Sequence, residues 1–155
     1  MNLLVVDDDS VVRITLRTVL TSDGHSVVLA ADGEDALTKL AEANVDMIIA
    51  DVYMPGIDGI RLRNMVREIP DKAHLPVLFI SGYDDKATVD AVQDSHLEGF
   101  FKKGRPLTEL LAWIKYLTTP AYKRPISPPS IDGKPTKRQQ MYRRDSRGNA
   151  RVPLM

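Results

Sequence analysis

The chain has no cysteine among its 155 residues. That absence excludes a disulfide framework and any thiolate metal site. It has no apolar run near the ~18 residues a membrane-spanning helix needs. Its N-terminus enters an apolar stretch within two residues and carries no basic flank, so it does not read as a secretory signal. A cytoplasmic location is the expectation. Histidine is scarce: His25, His74 and His96 fall in separate segments without metal-ligand spacing and read as structural or surface residues. There is no internal repeat. Hydrophobic content of 43% and charged content of 27% are those of an ordinary globular protein. There is also no net charge, with 21 basic against 21 acidic side chains. That balance hides a division: residues 1–117 carry −7 and residues 118–155 carry +7. An acidic body and a basic tail need separate explanations.

What the chain does have is carboxylates at the ends of apolar runs. Leu3-Leu4-Val5-Val6 leads into Asp7-Asp8-Asp9, and Met47-Ile48-Ile49-Ala50 leads into Asp51. A charge at the end of a buried strand is costly unless it has a partner. Several carboxylates converging on one spot repel each other unless a hard cation sits among them. Asp8 or Asp9 could instead cap the helix that follows.

Residues 1–117 alternate short apolar runs with amphipathic stretches. Strands are expected at Leu3–Val6, Ser26–Ala30, Met47–Ala50, Val77–Ile80 and Gly99–Lys102. Helices are expected at Val11–Leu20 with Ser10 as N-cap, Glu34–Ala43, Ile60–Glu68, Lys86–Asp94 and Leu107–Leu117. Trp113 lies off the apolar stripe of the last helix, so partial burial is its expected state. Strands alternating with helices imply a parallel sheet covered on both faces, an α/β doubly wound (βα)5 fold. In strand order 2-1-3-4-5, Asp7, Asp8, Asp51, Ser81 and Lys103 fall past the carboxyl ends of neighbouring strands, where such sheets bind ligands.

Asp7-Asp8, Asp51 followed by Met54-Pro55 and Asp58-Gly59, Ser81-Gly82, and Phe101-Lys102-Lys103 together resemble the receiver domain of bacterial two-component response regulators, a flavodoxin-like fold. The resemblance covers about residues 1–117. It implies that Asp51 accepts a phosphoryl group from a sensor histidine kinase, a phosphotransfer protein or a small donor. It implies Mg²⁺, or Mn²⁺, bound by Asp8, the Asp51 carboxylate and the Tyr53 backbone carbonyl, with Asp7 acting through water. Ser81 and Lys103 would contact the phosphoryl group, and Phe100 would be the aromatic switch. The implied role is signalling, with no catalysis beyond the protein's own phosphorylation and slow dephosphorylation. A homodimer through the fourth helix, fifth strand and fifth helix is common in the family. Two rival readings are a Mg²⁺-dependent aspartyl-phosphate phosphatase or phosphotransferase and a pseudo-receiver that only binds partners. The first typically has Asp-x-Asp and a cap domain, and the second would lack site residues.

This sequence departs from the family in two places. Lys103 is followed by Gly104 where proline is usual, so a trans bond and a more loosely held lysine are expected. Tyr53 and Tyr83 are large for positions that tune access of the hydrolytic water. Residues 118–155 hold six of the ten prolines and read as a linker with a basic tail. Arg147-x-x-x-Arg151 followed by Val152-Pro153-Leu154 resembles the opening of a PilZ domain, which binds cyclic di-GMP. The chain lacks the downstream Asp/Asn-x-Ser-x-x-Gly strand of that domain, and Arg143-x-x-x-Arg147 has the same spacing. A solvated tail, the start of a truncated output domain, and an arm for nucleic acid or a partner all remain open there.

Overall fold

A computed structural model describes residues 1–83, 89, 90, 92, 96–125 and 127–129. In chain order its elements are β1 (Asn2–Val6), α1 (Ser10–Ser22), β2 (Ser26–Ala30), α2 (Gly33–Glu42), β3 (Met47–Asp51), α3 (Gly59–Arg67), β4 (Val77–Ser81), β5 (Glu98–Lys102) and a C-terminal helix, Leu107–Thr118. The helix expected at Lys86–Asp94 lies largely outside the described residues, as do Arg143, Arg147 and Arg151 and with them the PilZ-like motif.

The five strands form one parallel sheet in the order β2-β1-β3-β4-β5. Residue alternation along each strand divides the core into two layers. Leu4, Val6, Ile48, Ala50, Phe79 and Phe100 pack with α2 and α3 on one face. Leu3, Val5, Met47, Ile49, Ile80 and Phe101 pack with α1 and the C-terminal helix on the other. Strands buried on both faces read as continuous apolar runs, which is why β1 and β3 are so plain in the sequence.

Three aspartates open helices. The side chains of Asp9, Asp32 and Asp58 accept hydrogen bonds from the backbone N–H groups of Val11, Asp35 and Arg61. Each such cap contributes about 1 kcal/mol. The cap of α1 is therefore Asp9, and Ser10, expected in that role, is the first helical residue. A carboxylate two residues before Val11 reaches that N–H, so the third acid of the run is a cap while the first two are free for other work.

Trp113 corrects a second expectation. It is buried, not partly exposed. It stands over β5, where a Cβ on Gly99 would lie 2.4 Å from its Cε3. The helical stripe does not announce this contact, because the space for the indole is made by a missing side chain on another element.

Candidate functional site

The site forms at the carboxyl edge of the sheet. Asp7 follows β1, Asp51 ends β3, Ser81 ends β4 and Lys103 follows β5, so four neighbouring strands each deliver one group. The approach of α3 to the end of β3 fixes the place of Asp51. Gly59 N–H donates to Val52 O at 2.9 Å, and a Cβ on Gly59 would lie 2.2 Å from the Asp51 carbonyl oxygen. Only glycine permits that approach.

Asp7 is wholly buried and Asp51 is 6% exposed, while Asp8 faces solvent. The three carboxylates each offer an oxygen, and these oxygens lie within 4.8 Å of one another. Asp7 Oδ1 accepts the Asp9 N–H at 2.9 Å, and Arg13 Nη1 donates to the Asp7 carbonyl at 2.6 Å. Lys103 Nζ lies 2.9 Å from Asp7 Oδ2 and 3.2 Å from Asp51 Oδ2. It bridges two acids and not Asp51 alone. Its backbone N–H donates to Ser81 O at 2.7 Å.

No described peptide bond is cis, and Gly104 turns the chain at φ 92°. The left-handed turn that glycine allows takes the place of the usual proline, and the two ion pairs hold the lysine in the pocket. Phe100 is fully buried in the layer shared with α2 and α3. Ser81 Oγ accepts the Tyr83 N–H at 3.1 Å. Tyr53 and Tyr83 meet edge to face, with ring centroids 5.5 Å apart. These two largely exposed rings join the loops after β3 and β4.

Burial raises the pKa of Asp51 above that of an ordinary aspartate; the charge of Asp7 adds to the rise and Lys103 opposes it. Burial works against the Lys103 ammonium too, but its hydrogen bond to Asp7 and the charge of Asp51 outweigh that, and its pKa is raised. Three carboxylates around one ammonium leave an excess of negative charge in oxygen donors. That donor set fits a hard divalent cation with few protein ligands, as Mg²⁺ prefers.

The sequence gives no sign of Arg13 as a support for the Asp7 carbonyl, although its place one turn into α1 points it back at β1. A second missed group is the buried Glu98 at the start of β5. Its Oε1 pairs with Arg63 Nη1 and its Oε2 with Arg67 Nη2 at 3.2 Å. The Arg63 guanidinium also lies 5.4 Å from the Phe79 ring centroid.

A family model described as the response regulator receiver domain matches residues 3–115. The chain belongs to that family and is a two-component response regulator receiver. It is 37% identical over 123 residues to the response regulator MprA of Mycolicibacterium vanbaalenii, covering 77% of this chain and 52% of that protein. The chain spans about half the length of the curated relatives it matches. A putative response regulator from Chloroflexus aurantiacus superposes with a TM-score of 0.70 at 34% identity, over 76% of this chain and 96% of that one. Response regulator TrrA from Thermotoga maritima, in complex with Mg²⁺–BeF, superposes with a TM-score of 0.65 at 28% identity, over 75% and 97% of the two chains. Receiver-domain response regulators are signalling proteins. No helix among the described residues is long and apolar enough to cross a membrane.

Proposed function

We propose that Asp51 is the phosphoacceptor of a switch driven by a sensor histidine kinase or a phosphotransfer protein. A carboxylate oxygen of Asp51 forms the new O–P bond while the donor's N–P bond breaks, and the freed imidazole leaves with its electron pair and takes up a proton. The observation that carries this reading is the Lys103 bridge between Asp51 and Asp7 beside Asp8. It places one mobile cation where charge develops on the transferring group. Asp7, Asp8, Asp51 and the Tyr53 backbone carbonyl would hold Mg²⁺, which supplies neutralisation of the phosphoryl oxygens; Mn²⁺ suits the same donors. Ser81 is the hydroxyl that turns to a phosphoryl oxygen, releasing the Tyr83 N–H that it accepts in this structure. Phe100, on the strand that carries Lys103, is the buried aromatic that senses the change. The Tyr53–Tyr83 pair narrows access of water to the acyl phosphate.

This chemistry is confined to the protein's own phosphorylation and slow dephosphorylation. A homodimer through the face around β5 belongs to the same proposal; the tail is read as a solvated basic segment, with no tight binding of cyclic di-GMP expected. The test is incubation with acetyl phosphate and Mg²⁺, followed by intact mass. One base-labile phosphoryl group is expected on the wild type and none on Asp51→Asn. Phosphorylation of that variant at the wild-type rate would overturn the assignment.

A further inference from the structure

The chain does not leave the C-terminal helix freely. After Thr118 it enters a short 3-10 turn, Ala121–Lys123, and the next residue folds back. Arg124 Nε donates to Thr119 O at 2.7 Å, Nη2 to Leu117 O at 3.1 Å and Nη1 to His96 O at 2.7 Å. The first two carbonyls close the C-terminal helix, where the last carbonyls lack helical donors and the helix dipole favours a cation. The third lies in the segment that enters β5. One side chain therefore ties the helix end, the linker and the approach to β5 together.

The clasp also reaches β5 itself, through aromatic rings. The Arg124 guanidinium lies 5.1 Å from the Tyr116 ring centroid. Tyr116 meets Trp113 edge to face at 5.8 Å, and Trp113 covers Gly99 of β5. On the other face of the sheet, Glu98 is held by Arg63 and Arg67. The start of β5 is thus gripped from both sides. From that grip the strand runs five residues, about 17 Å at the usual rise, to Lys103 and its contacts with Asp51 and Asp7.

We propose that Arg124 is the positioning residue that fixes where the basic tail leaves the receiver, and that its clasp is energetically linked through β5 to the phosphoryl occupancy of Asp51. The inference rests on the phosphoacceptor reading. A phosphoryl group on Asp51 gives Lys103 a new anion, and an adjustment of Lys103 acts on the strand whose other end the clasp holds. Coupling of this kind is reciprocal for binding equilibria. Whatever phosphorylation does to the clasp, loss of the clasp does to the affinity for a phosphoryl mimic.

The experiment uses the full 155-residue chain. Hydrogen exchange is read at the amides of Thr119, Lys123 and Arg124, which donate to Lys115 O, Pro120 O and Ala121 O. Arg124→Gln should speed exchange there about tenfold or more, since a charged donor group is lost; Arg124→Lys should fall between. Phosphorylating the wild type should change exchange at the same amides by roughly threefold or more, within the usual range of site coupling. Arg124→Gln should abolish that response and shift the affinity for beryllofluoride with Mg²⁺ by a similar factor. Complete phosphorylation by intact mass with unchanged exchange at all three amides would overturn the coupling while leaving the acceptor assignment standing. Unchanged exchange in Arg124→Gln would overturn the clasp itself. No mass gain at all would remove the acceptor reading and this inference with it.

Discussion

Replacing Lys103 by alanine should destabilise the metal-free protein and make it more responsive to Mg²⁺. The ammonium sits 2.9 Å from Asp7 and 3.2 Å from Asp51. At an effective dielectric of ~20, each contact represents roughly 5 kcal/mol of gross attraction. Most of that is cancelled by the desolvation of the three charges, and the Lys103 side chain is 29% exposed, so water screens the pair. Removing one partner of a fully buried pair costs about 3–5 kcal/mol. Discounted for exposure, about 2 kcal/mol is left. A domain of this size loses about 3–4 °C of Tm per kcal/mol, so the expected drop is roughly 7 °C. Asp7, Asp8 and Asp51 without the ammonium form a stronger cation site, and a ligand that binds the native state stabilises it by RT ln(1 + [L]/Kd) and so raises Tm. The Mg²⁺-induced rise should therefore be larger in Lys103→Ala than in the wild type. Calorimetric scans with and without Mg²⁺ decide it. An unchanged Tm in metal-free buffer, or a Mg²⁺ response equal to or below that of the wild type, would refute the reasoning.

Two further outcomes follow from buried charge. Because the folded-state pKa of Asp51 is raised, the folded protein holds that proton more tightly than the unfolded chain; its stabilisation is present below the usual aspartate pKa and is lost as pH rises through the raised value. Asp51→Asn should accordingly raise Tm at neutral pH without Mg²⁺, with the gain shrinking as the solution is acidified, and a gain that grows on acidification would contradict this. Glu98→Gln removes the carboxylate paired with Arg63, 2% exposed, and should cost about 3 kcal/mol in urea unfolding; the double change Arg63→Met with Glu98→Leu should cost less than the single one. A single-variant loss under about 1 kcal/mol would show that the pair is not the buried clamp described.

The legible parts of this molecule are those where one local pattern suffices. Strands β1, β3 and β4 are buried on both faces, so Leu3–Val6, Met47–Ala50 and Val77–Ile80 stand out as apolar runs, and their acids or hydroxyl mark the carboxyl ends. Parallel crossovers then place Asp7, Asp8, Asp51, Ser81 and Lys103 on one edge without further information. Legibility fails where a residue's environment is made by a distant element. Nothing in the period of α3 separates Arg63 from the solvent-facing Arg61, because its partner Glu98 lies 35 residues away. Glu98 was outside the expected strand for the same reason: a buried acid opening a strand makes sense only beside two arginines. Trp113 leaves the apolar stripe and is still buried, because Gly99 on the neighbouring strand makes room. Arg124 falls beyond a boundary drawn at Leu117, yet its bonds go to Leu117, Thr119 and His96.

Glu98 lies on β5, Arg63 and Trp113 pack against that strand, and Arg124 bonds the residue that leads into it. Among the described strands β5 lies at the edge of the sheet and pairs with β4, so its backbone ladder holds it less firmly than the ladders on both sides of β3 hold Asp51. An edge strand with half a ladder must be fixed by side chains. Here they are Glu98 with two arginines on one face, Trp113 on the other, Arg124 at the entry and Lys103 at the exit. Asp51 therefore sits inside the sheet, while Lys103 follows an edge strand that has a backbone ladder on one side. A change of charge at Asp51 is more easily met by movement of β5 than by movement of β3, and movement of β5 bears directly on the residues that hold the start of the tail.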